Sequence, residues 1–266
     1  MDLRARLVTQ HGEVAAPHAA VLRRPGDGML AIAMRLTILE LPARWNAPRR
    51  ALADVAAALA ATGDADLVLL PEAALHGYVS PAGDSDLAPF AEPLDGPTAR
   101  ACAALAAKHA VHLVVPLVLR EGDALFNAMV CFDARGEVGF VYRKRHPWMP
   151  ETWATAGTDR PPLVEIGGAL VTIAICYDLH FLPVDAAPEL AAADVLLFPS
   201  AWVEEPDYRV SRLSRLAQRY DLTIANANWA PGDVRVPGQG GSCVVGPDGS
   251  VRAVVEAGRI DHVWRR

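Results

Sequence analysis

The sequence has no excess of basic residues: 25 Lys and Arg stand against 31 Asp and Glu, a net charge of −6. A nucleic-acid or anionic-membrane partner needs a basic face to meet phosphates, and here the arginines are scattered among acids. A bilayer span is also missing. The first apolar run, Met29 to Leu41, has Arg35 in its middle, is too short to cross, and comes too late for a secretory signal. The four cysteines, Cys102, Cys131, Cys176 and Cys243, have none of the short paired spacings of zinc or redox sites. A chain of 266 residues has no need of disulfide staples, so a reducing, cytoplasmic setting is expected. No cluster of metal ligands and no dinucleotide loop is visible, and neither a metal nor a cofactor is expected. Gly238-Gln239-Gly240-Gly241 leads into a hairpin strand and not into a helix, which removes the usual phosphate cradle.

What the sequence does have is apolar residues, 52% of the total, enough for a sizeable core in one large domain. Residues 1–28, rich in Arg, Ala, Pro and Gly, read as a poorly ordered extension, with Met34 as an alternative natural start. Residues 29–266 read as a single domain. Along it, helical segments at Arg49 to Thr62, Thr98 to His109 and Tyr208 to Tyr220 alternate with apolar strands. Asp66-LVLL-Pro71-Glu72 in the first half is echoed by Asp194-VLLF-Pro199-Ser200 in the second. Asp133-Ala-Arg-Gly136 and Pro247-Asp248-Gly249 each mark a hairpin. Helices between strands imply parallel crossovers and the hairpins add antiparallel strands, so each half should form a mixed sheet. Two such sheets bury their bare faces against each other. The expected fold is therefore α/β, a four-layer α-β-β-α sandwich with helices on both outer faces. The loop from His76 to Gly96 is too long for a mere connector and reads as part of a pocket wall.

The chemistry-bearing residues fall at the ends of strands. Cys176 follows the run GALVTIAI, Glu72 follows LVLLP, and Lys144 follows the hairpin strand VGFVYR. A lone thiol is most often a small core hydrophobe, and a lone Glu or Lys is most often a solvated charge. Together at one sandwich edge they would supply a nucleophile, a base and a cation, a complete set for acyl transfer.

Three segments carry a resemblance: LLPEAALHGY (Leu69 to Tyr78), YRKRHPW (Tyr142 to Trp148) and ICYDLHF (Ile175 to Phe181). In their order and spacing the chain resembles the nitrilase, or carbon-nitrogen hydrolase, superfamily from Met29 to about Arg259. The resemblance implies an α-β-β-α sandwich and a catalytic Glu72-Lys144-Cys176 triad, with Glu151 as the second glutamate. It implies hydrolysis of a non-peptide C–N bond in a small amide through a Cys thioester, of the amidase, omega-amidase or N-carbamoyl type. Tyr177-Asp178 after the cysteine resembles the amidase and carbamoylase branches, whereas true nitrilases tend to carry Trp-Glu there; nitrile hydrolysis is the alternative. Relatives are usually homodimers or larger, which is carried over as an expectation. The sequence departs from the family on the helix before Ala227-Asn228, where Gln218 or Arg219 stands in place of the usual acid.

On this reading Glu72 takes the thiol proton and Lys144 favours the thiolate. Lys144 and the backbone N–H of Tyr177 face the oxyanion, and losing one such donor typically costs roughly 3 kcal/mol. Tyr78 and Trp202 are candidate pocket walls. Two rivals stay open: a Cys-His hydrolase using His180 or His146, neither with an evident carboxylate partner in sequence, and a catalytically silent binding protein on the same fold.

Overall fold

Alternation of buried and exposed residues along β1 (Ala33–Leu39) sends Met34, Leu36 and Ile38 inward, and the same logic builds the rest of the sandwich. A computed structural model describes residues 33–61, 63–204 and 207–266. These lie within one compact unit, Ala31–Arg266. The poorly ordered extension expected over residues 1–28 falls outside the described residues.

After β1 come α1 (Pro48–Ala61), β2 (Leu67–Leu69), α2 (Pro97–His109) and β3 (His112–Glu121). Both helices begin at proline, whose fixed φ and missing N–H suit the first helical turn. Next are β4 (Ala124–Phe132), β5 (Val138–Arg143), β6 (Val164–Ile166) and β7 (Ala169–Ile173). Two short helices, α3 (Leu182–Asp185) and α4 (Ala187–Ala192), lead to β8 (Val195–Ser200), α5 (Arg209–Tyr220) and β9 (Thr223–Asn228). The chain finishes through β10 (Cys243–Val245), β11 (Val251–Val254) and β12 (Arg259–Arg265).

The strands form two six-stranded sheets, in the orders β12-β1-β2-β3-β4-β5 and β6-β7-β8-β9-β10-β11. In each, an antiparallel edge pair is followed by two parallel pairs and then two antiparallel pairs. The echo between the halves seen in sequence is thus an echo of topology. The position of β6 in the second sheet is taken in the first by β12, the last strand of the chain. Sequence pattern missed that strand and its pairing with β1, because only contact between the two ends of the domain reveals it.

Three apolar clusters account for the layers. Leu36, Leu69 and Met129 of one sheet meet Ile173, Leu197 and Ala225 of the other between the sheets. Val55 and Leu59 of α1 and Cys102 of α2 cover the outer face of the first sheet against Val68 and Val115. Leu213 and Leu216 of α5 cover the second sheet against Phe198 and Ile224. Burying each such side chain contributes about 1.5–3 kcal/mol. The α-β-β-α sandwich is the fold observed.

The long loop after Glu72 behaves differently from expectation. It contributes no residue to the pocket beside Cys176; Tyr78 and Leu87 pack with Trp229, behind it. Gly77 explains part of its course. It has φ +81°, and a Cβ there would stand 2.5 Å from the carbonyl oxygen of Arg44, so only glycine lets the loop pass.

Candidate active site

The first sheet supplies two charged groups. Glu72 lies just beyond β2, and Lys144 just beyond β5, its N–H bonded to Asn127 O at 2.8 Å and its carbonyl to Gly157 N at 2.8 Å. The second sheet supplies the thiol. Cys176 opens a single 3-10 turn, Cys176–His180, at the carboxyl end of β7, a position where parallel sheets put their chemistry. Its φ of +43° is in the left-handed region, which costs a residue with a side chain roughly 1–2 kcal/mol.

Asp178 holds that strained turn. Its carboxylate accepts from Ile175 N–H at 3.1 Å, from Tyr142 O–H at 2.8 Å and from His146 N–H at 2.9 Å. Tyr142 belongs to β5 of the first sheet, so this carboxylate ties the cysteine turn across to the strand that leads to Lys144. Asp178→Ala leaves those buried donors without an acceptor, and we expect a loss of about 3 kcal/mol. A thermal melt should read this as roughly 6–12 °C, and an unchanged midpoint would show that water or the backbone replaces the carboxylate.

At the centre, Lys144 Nζ donates to Glu72 Oε1 at 2.7 Å and to Glu151 Oε1 at 2.5 Å. All three side chains are buried. Asn127, on β4, donates through Nδ2 to Glu72 Oε1 at 2.8 Å and Glu151 Oε2 at 3.2 Å, bridging two carboxylates that would otherwise repel. Tyr78 O–H donates to Glu151 Oε1 at 2.7 Å. From the second sheet, Ala201 N–H donates to Glu72 Oε2 at 2.8 Å, and Ala201 lines the same pocket as Cys176.

Two carboxylates share one ammonium here, and the ionisation of Lys144, Glu151 and Cys176 reflects that imbalance. Burial alone would lower the Lys144 pKa, but Glu72 and Glu151 outweigh it and hold the ammonium charged. Burial and the charge of Glu72 raise Glu151, against the pull of Lys144. Burial, then Glu72, push the Cys176 thiol well above its ordinary value, while Lys144 and the Ala201 N–H pull the other way. From the sequence, Lys144 is expected to favour thiolate; it does pull that way, but burial of the sulfur and the charge of Glu72 oppose it.

Beside Cys176 is a small pocket walled by Trp148, Tyr177, His180, Ala201, Trp202, Val203 and Glu204. Of the two candidate walls, Trp202 lines it, whereas Tyr78 does not and touches Glu151 instead; Tyr177, named for its backbone N–H, also lines it. A larger open groove, walled by Leu39, Ala58, Arg252 and Asp261 among others, holds none of these groups. Asn228, at the end of β9, fixes the Trp202 wall. It accepts from Trp202 N–H and Ser200 O–H, both at 3.0 Å, and donates to Gly238 O and Gly240 O. The glycine run has its reason there: a Cβ on Gly238 would lie 2.9 Å from Trp202 O.

The histidines separate. His146 does have a carboxylate, Asp185 Oδ2 at 2.6 Å, contrary to the sequence argument, but it stacks on Phe181 and lines a different, smaller pocket with Asp185. His180 lies in the Cys176 pocket stacked on Trp202, and its Nε2 has no partner. Among the described residues no group could hold a metal ion, and no helix is long and apolar enough to cross a membrane. Asn127 and the Ala201 amide were not singled out from sequence, and Asp178 and Asn228 were named only within the segments that carry the resemblance; a polar residue inside an apolar strand was the signal for Asn127 and Asn228.

Comparison with known proteins agrees with this geometry. Residues 35–259 match the family described as carbon-nitrogen hydrolase. A "Hydrolase in pqqF 5'region" of Pseudomonas protegens is 33% identical over 192 residues, 70% of this chain and 66% of that protein. An "(R)-stereoselective amidase" of Pseudomonas sp. is 29% identical over 205 residues, 76% of this chain and 73% of that protein. In structure, a cysteine-to-alanine variant of a Nesterenkonia AN1 amidase from the nitrilase superfamily superposes with a TM-score of 0.76 at 25% identity, covering 88% of this chain and 90% of that one.

Proposed function

Because the chain belongs to the carbon-nitrogen hydrolase family, we propose that it cleaves the C–N bond of a small linear amide through a thioester on Cys176. The observation that carries this reading is the Lys144 ammonium clamped between Glu72 and Glu151, with Ala201, whose N–H donates to Glu72, lining the Cys176 pocket.

The raised thiol pKa gives the order of events. A preformed thiolate would be a third anion around a single ammonium, so the resting nucleophile is the thiol. As sulfur attacks the amide carbon, its proton passes to Glu72, which needs no rearrangement to receive it. The carbonyl oxygen gains charge, and the Lys144 ammonium and the Tyr177 N–H, at the free start of the 3-10 turn, stabilise it. Glu72 then gives its proton to the departing nitrogen, and ammonia or an amine leaves. Water, deprotonated by the same carboxylate, attacks the thioester; the acid is released and the thiol re-forms. Glu151 holds Lys144 and, through Asn127, the orientation of Glu72.

Tyr78 is a positioning residue on this reading. Burial keeps its phenol protonated, so it donates to Glu151 and favours the ionised carboxylate. Removing the donor in Tyr78→Phe raises the Glu151 pKa further. The acidic limb of kcat/KM should then move to higher pH, while a purely structural role would lower activity equally at all pH values. We also carry forward a homo-oligomeric state, for which exposed Phe181, Val184 and Tyr208 offer apolar surface.

The test is an ammonia-release screen over simple aliphatic amides, half-amides of dicarboxylic acids, carbamoyl compounds and nitriles. Release from an amide supports the reading; release from nitriles alone, or none from any member, overturns it.

A further inference from the structure

Charge in the walls of the Cys176 pocket narrows the substrate. Trp148, Tyr177, His180 and Trp202 surround the thiol with rings, and Ala201 and Val203 complete an almost wholly apolar lining. His180 stacks on Trp202 with planes 11° apart, and Tyr177 leans on His180 at 4.8 Å, making a narrow aromatic slot. Among the described residues, the one acid or base of the strongly charged types in the wall is Glu204, which is exposed.

A substrate carboxylate entering this slot would need a fixed cation, since burying an unpaired charge is among the costliest events in a protein. Among the described residues no lysine or arginine is part of the pocket wall. Lys144 is already bonded to two carboxylates. Arg209 is buried and donates to Gly240 O, Gly241 O and Asp207; its Nε and Nη1 have no partner, but it is not part of the pocket wall. Arg212, whose field reaches His180, is exposed on α5 and does not line the pocket. Glu204 has the wrong sign.

We propose that this site takes amides whose acyl part is uncharged and apolar and rejects those carrying a carboxylate, such as half-amides of dicarboxylic acids and N-carbamoyl amino acids. The inference rests on the hydrolase reading above and chooses among the substrates that reading leaves open. Aromatic walls supply contact area for a hydrocarbon chain at little entropic cost, and Glu204 repels an anion at the entrance.

The experiment compares two isosteric amides, 4-methylpentanamide and succinamate, in which an isopropyl group and a carboxylate occupy the same place. Wild-type kcat/KM should favour 4-methylpentanamide by about 100-fold or more. Glu204→Lys should reduce that ratio by about tenfold, because the rim charge changes sign. Equal turnover, or a preference for succinamate, that is lost in Cys176→Ala would overturn this proposal and leave the hydrolase reading intact. Absence of Cys176-dependent ammonia from both amides would overturn the hydrolase reading, and this one with it. A ratio unmoved by Glu204→Lys would overturn the part assigned to Glu204.

Discussion

Cys176→Ala is expected to lower ammonia release from the best amide by at least about four orders of magnitude while the fold stays intact. No neighbouring group can replace the thiol. Glu72 and Glu151 are tied to Lys144, and His180 stacks on Trp202 with no hydrogen bond from its Nε2 to an acid. A direct attack by water would keep the oxyanion donors but lose the intermediate that divides the reaction into two easier steps. Stability should change little, since the side chain is only half-buried and alanine needs the same left-handed backbone at this position. Intact mass separates the outcomes: wild type mixed with a poor amide should carry an acyl adduct, and the variant none. Residual release within tenfold of wild type would show that the sulfur is not the nucleophile.

Glu72→Gln should show two quantities moving in opposite directions. Turnover is expected to fall by about a thousandfold, because glutamine keeps one oxygen, for Lys144 or for Ala201 but not for both, and cannot take or return a proton. Alkylation of Cys176 by iodoacetamide at neutral pH should become faster. Glu72 is one of the groups that raise the thiol pKa, so its removal leaves Lys144 less opposed and the thiolate more populated. A residue that merely supported the fold would lower both rates. If alkylation slows with turnover, Glu72 is creating a standing thiolate, and the concerted transfer proposed above is wrong. The comparison needs equal folded fractions, which a thermal melt of each protein provides.

The residues at the site could be read from the sequence because each follows a strand whose apolar run ends abruptly. Leu67–Leu69 delivers Glu72, Val138–Arg143 delivers Lys144 and Ala169–Ile173 delivers Cys176. The hairpins could be read too, since Asp133–Gly136 and Pro247–Gly249 carry the turn residues that a reversing chain requires, with Gly136 and Gly249 at positive φ. Strand β12 could not. Its residues pair with β1 over a separation of more than two hundred positions, from Ala33 with Arg265 to Leu39 with Arg259, and nothing local announces such a partner. The Tyr78 reading went astray for a similar reason. An aromatic near a loop signals burial, but whether its hydroxyl faces a substrate or a carboxylate depends on what a distant segment brings to it.

Composition and the order of segments determined, without coordinates, that this is a layered α/β chain with a thiol, a carboxylate and an ammonium at strand ends. Those properties are local, set by periodicity and by where an apolar run stops. Only the packing of one sheet on the other decided that the acid and ammonium of the first lie where their charges act on the sulfur of the second. Packing also decided that Asn127 spans two glutamates, that the Ala201 amide crosses to Glu72, and that burial and the charge of Glu72 raise the thiol pKa. Those outcomes depend on distances of a few ångströms between segments far apart in the chain, and on burial that exists only once both faces have closed, so no short stretch of sequence contains them.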